Sequence, residues 1–287
     1  MDRDHAITTD SIEQKGGSNL KVVLDEDDET QTSLAEGPKF NFASVEVLEA
    51  EHHLRNSIQK LKDKLQGYRN LFHKKSDKIF KQLFGELNQG VPELYRAYDS
   101  YVSAVLKTGE EKITCAKNCS NCCTHYVTSI EPFELLYLHS QIRNSEANLY
   151  PSQMISMHRR VTLFKTLFQT IRSEKPELID TGKDEDRALY RYFLRGQPCP
   201  FLSSTGACGV YEHRPMSCRM FYSLSHPSLC KGKGVVSPEN RNFLIELPND
   251  IETELAAIGE IFADLELPES LFEGLLSVNE QLGPINL

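Results

Sequence analysis

Eight cysteines stand in two groups in this chain of 287 residues. Four fall within nine residues, Cys115-x3-Cys119-x2-Cys122-Cys123, and four follow downstream as Cys199, Cys208, Cys218 and Cys230. Cysteine used as a core residue scatters along a sequence, whereas thiolate ligands must converge on one ion and therefore cluster at short spacings. Two such groups constrain the fold, because distant stretches of backbone have to meet. The competing arrangement, a disulfide framework, belongs to small secreted domains in oxidising compartments. Here residues 1–10 carry no basic-then-apolar leader, and no apolar stretch reaches the length of a membrane span. A chain this long with 39% hydrophobic content can also build a core without cross-links. The thiols are therefore expected to be reduced, in the cytoplasm, and to bind metal, with no membrane partner.

The net charge of −9 is unevenly spread: residues 1–36 hold ten acidic and three basic residues, a net of −7, which leaves about −2 for the rest. Asp25-Glu26-Asp27-Asp28-Glu29 lies among Ser, Thr, Gly and Gln, a composition too polar to offset chain entropy. Residues 1–42 are accordingly read as a disordered acidic tail. The overall sign is wrong for phosphate recognition, so nucleic acid is not an expected partner.

Beyond the tail, Leu54, Ile58, Leu61, Leu65, Tyr68 and Phe72 recur in alternating steps of four and three. That seam predicts a long helix, as in a coiled coil or a helical hairpin. The pattern falters at His73-Lys74-Lys75-Ser76-Asp77 and resumes at Ile79, so one helix passes through or two meet there. Pro92 is expected to open a further helix to about Lys107. Lys60, Lys62, Lys64, Arg69, Lys74, Lys75, Lys78 and Lys81 make this region locally basic, which reads as a solvated face rather than an RNA contact. A protein partner, if there is one, is expected on this N-terminal helix. Helices are also expected over 130–143, entered through Glu131-Pro132, and over 151–171, with Ile155, Val161, Leu163, Phe164, Leu167 and Phe168 on the apolar side. Two short ones follow at about 250–265 and 269–277. The second cysteine group is punctuated by Gly196, Pro198, Pro200, Gly206, Gly209 and Pro215, so it reads as loops able to wrap a metal. The fold class is mainly α: an N-terminal helical region at 43–110, a loop-rich cysteine-cluster domain at 111–235 and a helical extension at 236–287.

Spacings of two or three residues let successive thiolates turn towards one centre, about 2.3 Å from each sulfur in a zinc site. Adjacent side chains diverge, so Cys122 and Cys123 are not expected to bind one tetrahedral ion together. Either two centres or one multi-metal cluster follows. Cys115-x3-Cys119-x2-Cys122 has the spacing of the radical S-adenosylmethionine motif, but Asn121 stands where that motif has an aromatic residue, and no series of βα units follows.

The run from Cys115 to Cys123, then Cys199-Pro200-Phe201-Leu202, Gly206-x-Cys208-x-Val210-Tyr211-Glu212-x-Arg214-Pro215-x-x-Cys218-Arg219 and Cys230-x-Gly232, resembles the YkgJ-type cysteine-cluster family, a zinc- or iron-chelating CxxxCxxCC domain. The likeness covers roughly 112–235, with all eight cysteines on motif positions. It implies chelation more firmly than any reaction; some relatives N-methylate lysines of flagellin, which is the alternative activity. Cys-Pro pairs accompany ferredoxin-like ligands, and eight cysteines suit a cluster, so an iron–sulfur cluster is favoured over Zn2+. Arg214, Arg219 and Tyr211 are candidates to donate hydrogen bonds to thiolate sulfur. His125 and His213 could replace a cysteine, though hydrogen-bonded or surface roles are expected for both. Glu131 and Glu134 are read as helix-start carboxylates with no catalysis required. No glycine-rich loop marks a nucleotide site.

Overall fold

The apolar seam that begins near Leu54 forms α1, Val45–Leu65, in a computed structural model that describes residues 37–71, 76–116, 118–144, 150–174, 181–232, 237 and 239–282. Ser44 caps α1, its Oγ accepting from the Val47 amide at 3.3 Å, and Lys62 and Lys64 suit the negative C-terminal end of the helix. Leu54, Ile58, Leu61 and Leu65 are buried. A short 3-10 turn carries the chain to Tyr68, and α2 runs over Asp77–Lys107, so two helices meet at the break. Lys60 pairs with Glu93 at 3.1 Å and Lys64 with Glu86 at 3.6 Å. As one number rises the other falls, so α1 and α2 form an antiparallel hairpin. The basic face is thus a salt-bridged, solvated one where it is described. Residues 1–36 of the acidic tail, together with Phe72, His73, Lys74 and Lys75, lie outside the described residues.

Pro92 does not start a helix; it sits inside α2. A proline in a helix interior costs about 3 kcal/mol, while each Leu- or Phe-sized side chain that leaves water contributes about 1.5–3 kcal/mol. Leu83, Phe84, Leu87, Val91, Leu94, Tyr95 and Tyr98 are buried on one stripe running through Pro92, and that stripe outweighs the lost backbone bond. The hairpin is tightest at Gly90, where an added Cβ would stand 2.6 Å from Leu61 Cδ1.

The remaining helices are α3 (Pro132–Asn144), α4 (Tyr150–Glu174), α5 (Thr181–Leu194), α6 (Asn249–Gly259) and α7 (Leu271–Leu282). Helix α5 was not anticipated from the sequence, since Asp184-Glu185-Asp186-Arg187 masks the buried set of Asp184, Ala188 and Tyr192. Along α4 the buried line is Met157, Val161, Leu167 and Ile171, and Ile155 faces outward, 54% exposed, about two residues out of phase with it. A two-stranded antiparallel sheet pairs β1 (Phe221–Ser223) with β2 (Asn242–Leu244), Tyr222 opposite Phe243. The fold is mainly helical, as the periodicity implies.

One apolar core runs from Val47 in α1 to Val278 in α7. Arg55 ties α1 to α6 through Asp250 at 2.8 Å, and α3 meets α7 closely enough that a Cβ on Gly274 would stand 2.4 Å from Leu135 Cδ1. Ahead of α1, Phe40 packs on Phe243 with ring centroids 5.6 Å apart, and the Asn41 amide donates to Thr108 Oγ1 at 2.9 Å. The cysteine-bearing loops are laid over this core between α3, β1 and the 3-10 turns that precede β1.

Candidate metal centre

Short hydrogen-bonded turns set the first cysteine group. The Cys119 amide donates to Ala116 O at 3.0 Å, Cys123 to Ser120 O at 3.0 Å and His125 to Cys122 O at 3.2 Å, with Asn118 in the left-handed region at φ 69. Ahead of them, the Thr114 amide donates to Ser223 O at 2.9 Å and anchors Cys115 beside β1. In the second group, Cys199 and Cys208 sit on a tight loop closed by Ser203 N–H to Ala207 O at 2.8 Å and Gly209 N–H to Phe201 O at 2.7 Å. Gly206 takes φ 79 there, which favours glycine. Cys218 ends the 3-10 turn Met216–Cys218, and Cys230 ends the 3-10 turn Pro227–Cys230. The two groups touch through the backbone, where the Cys199 amide donates to Cys123 O at 2.8 Å.

None of the eight cysteines is in a disulfide. Cys119, Cys122, Cys123, Cys199, Cys208 and Cys218 line one cavity of about 850 Å³. Cys115 and Cys230 stand outside its lining; Cys230 is buried, and its thiol donates to Asn242 Oδ1 at 3.3 Å. Among the described residues, no three His, Cys, Asp or Glu side chains close on a space fit for a single ion. The thiols ring the cavity instead.

Electrostatics place Cys122 between the groups. Burial pushes the Cys115 thiol up to about 11, with Cys122, Cys230 and Cys119 adding to the effect. Burial likewise lifts Cys199 to about 12, with Cys218 and Cys208 as neighbours, and Cys218 to about 12, with Cys208 and Cys122 nearby. A hydrogen bond with Cys123, then burial, raises Cys122 further. So many buried thiols cannot all ionise against one another. A bound cation is what stabilises the thiolates, which is the sense in which this donor set fits a metal.

Of the residues expected to act on the sulfurs, Arg214 lies close enough to Cys122, Cys208 and Cys218 to favour their ionised forms. Its guanidinium stacks 4.2 Å over the Tyr211 ring, its Nε is buried without a hydrogen bond, and it makes no salt bridge among the described residues. Both residues line the cavity. Arg219 is committed elsewhere: it donates to Arg214 O at 2.8 Å, Asp99 Oδ2 at 2.6 Å and Glu212 O at 2.9 Å, and lies 4.4 Å over Tyr95. It reaches the thiols only through its charge and through the loop it braces. His213 is hydrogen-bonded through Nδ1 to Tyr137 Oη at 2.7 Å. His125 lines the cavity, is held neutral by burial that lowers it to about 4, and has a buried Nε2 without a partner.

Glu134 has a role that the sequence did not reveal. Buried at 1% exposure, it accepts from Tyr95 Oη at 2.9 Å and from the Met216 amide at 2.8 Å through Oε1, while Oε2 accepts from the Glu131 amide at 3.3 Å. It thereby fixes the Cys218 turn to α2 and α3. Burial, opposed by these donors, leaves its carboxyl raised. Glu131, on the cavity wall, is pushed up to about 7 by burial and by the nearby Glu134, Glu269 and Glu260. Tyr95 and Asp99 lie on α2, outside the cysteine segment, and no linear motif points to them.

No curated protein and no solved structure matches the chain. Residues 114–237, which contain all eight cysteines, match the family model CxxCxxCC, described as a "putative zinc- or iron-chelating domain". The segment that carries the cavity's cysteines is therefore similar to the CxxCxxCC family.

Proposed function

We propose that this chain is a cytoplasmic metal-binding protein whose eight cysteines hold iron as an iron–sulfur centre, with Zn2+ as the alternative occupant. The observation that carries the reading is the cavity, which six free cysteines from two stretches some eighty residues apart line together. A lone tetrahedral zinc ion draws its four sulfurs to within about 3.8 Å of one another, given a Zn–S bond of about 2.3 Å. Eight cysteines, an adjacent pair included, suit a cluster that carries its own sulfide better than one closed zinc site. Cys199-Pro200, at the mouth of the second loop, is a pairing seen beside ferredoxin-type ligands. Bound there, the group would supply a strong cross-link between 115–123 and 199–230. Arg214 would offset thiolate charge, and Glu134 would hold the Cys218 turn in place.

The deciding experiment is metal and sulfide analysis of full-length protein purified without oxygen. Brown protein with a broad band at roughly 400 nm and stoichiometric acid-labile sulfide is expected. Colourless protein holding only zinc, even after anaerobic reconstitution, replaces iron with zinc; protein that takes up neither metal overturns chelation altogether.

A further inference from the structure

Resting on the chelating role above, we propose that His125 is a ligand of the metal centre through Nε2, so that its coordination mixes nitrogen with sulfur. Nε2 is buried and has no hydrogen-bond partner, a state that natural interiors rarely leave to a ring nitrogen. Of the other histidines, His139 pairs its Nε2 with Tyr150 Oη at 3.1 Å but leaves Nδ1 without a partner, and His213 pairs with Tyr137; among the described residues, only His125 turns its orphaned ring into the space that the cysteines line. His125 lines the same cavity as six of the cysteines. Its ring packs against Phe193 at 4.2 Å and Phe221 at 5.5 Å between centroids, and neither neighbour offers Nε2 a donor or an acceptor.

Spacing supports the same assignment. Cys119-x2-Cys122-x2-His125 continues one ligand interval, and the His125 amide is bonded to Cys122 O at 3.2 Å, so the two residues lie on one turn. Zinc and iron centres both accept imidazole beside thiolate. Cys123 falls off that interval, and its carbonyl accepts from the Cys199 amide. Replacing a thiolate with a neutral imidazole also removes one negative charge from a crowded set of sulfurs.

X-ray absorption at the K edge of whichever metal the full chain carries, iron or zinc, reads this directly, because an imidazole ligand adds outer-shell ring scattering that a thiolate lacks. The wild-type protein is expected to show that scattering and His125→Ala to lose it. Should His125→Ala fail to fold, His125→Cys keeps a donor in place and is expected to retain the metal with the nitrogen contribution replaced by sulfur. A wild-type spectrum without ring scattering, or the same scattering in His125→Cys at equal metal content, overturns the assignment and leaves chelation standing. Wild-type protein that binds neither iron nor zinc removes both readings.

Discussion

A buried carboxylate that accepts from two elements at once is hard to replace by a smaller side chain. Loss of Glu134 in Glu134→Ala strands Tyr95 Oη and the Met216 amide, each an orphan worth about 1–3 kcal/mol. That variant is expected to lose roughly 2–5 kcal/mol in urea unfolding, and metal with it, whereas Glu134→Gln keeps the accepting Oε1, forfeits only the longer bond from the Glu131 amide to Oε2, and loses less. Equal losses in the two variants would mean that charge, not hydrogen bonding, fixes the Cys218 turn. Glu131 makes a different prediction. Its folded pKa of about 7 lies above the model-peptide value of 4.5, so the folded state binds the extra proton. Its contribution to stability is greatest below about pH 4.5 and declines as pH rises through about 7. Glu131→Gln should flatten that decline, so the gap between its urea midpoints at pH 5 and pH 8 should be smaller than in the wild type. A gap of the same size would show that Glu131 does not carry the slope.

At the scale of elements, helix α2 offers an internal comparison. Gly85 is exposed with nothing within 4 Å of a would-be Cβ, while Gly90 meets Leu61 Cδ1 at 2.6 Å. Gly85→Ala should therefore stabilise by about 0.5–1 kcal/mol, the ordinary helix gain. Gly90→Ala should forfeit that gain or reverse it by overpacking against α1. Thermal melts of the two variants separate the outcomes, and matching shifts would mean that Leu61 yields to a methyl group at position 90 without cost. The α1–α2 hairpin shows where sequence periodicity is informative. Leu54, Ile58, Leu61 and Leu65 announced α1 because a steady three-four step has one physical reading. Pro92 misled because a propensity is local, whereas the stripe that overrides it is summed over the whole helix. Helix α5 escaped notice because Asp184 is buried among charged neighbours, which no apolar pattern discloses. The cysteines point to chelation by their spacing, and the family model that matches 114–237 is described in the same terms. Glu134, Tyr95 and Asp99 could not be read from the sequence because their contacts cross 39 to 120 positions.

In the whole molecule, the core that begins at Val47 and ends at Val278 passes beneath the cysteine loops without a gap. The sequence divides at about 110 and 235, but the buried side chains do not. Metal removal should therefore be felt by the α1–α2 hairpin as well as by the loops. Hydrogen exchange on metal-replete and chelator-treated protein is expected to show faster exchange in α1 and α2 once metal is gone, with a lower melting temperature for the chain. Unchanged protection in the hairpin would instead mark it as an independently stable unit.

The backbone bonds that join the segment after the first cysteine group to the approach of α7, Ile130 N–H to Glu269 O and Leu271 N–H to Val127 O, both at 2.9 Å, bear on when the centre can form during synthesis. In each bond one partner, Glu269 or Leu271, is made long after Cys123 has left the ribosome. Until α7 is released, the first cysteine group has its own turns and its bonds to Ser223 and Cys199, but the wall that includes Leu271 is unfinished. Metal uptake is thus expected to follow synthesis of Leu271, and a nascent polypeptide stalled before it would present all eight cysteines without that part of the cavity wall.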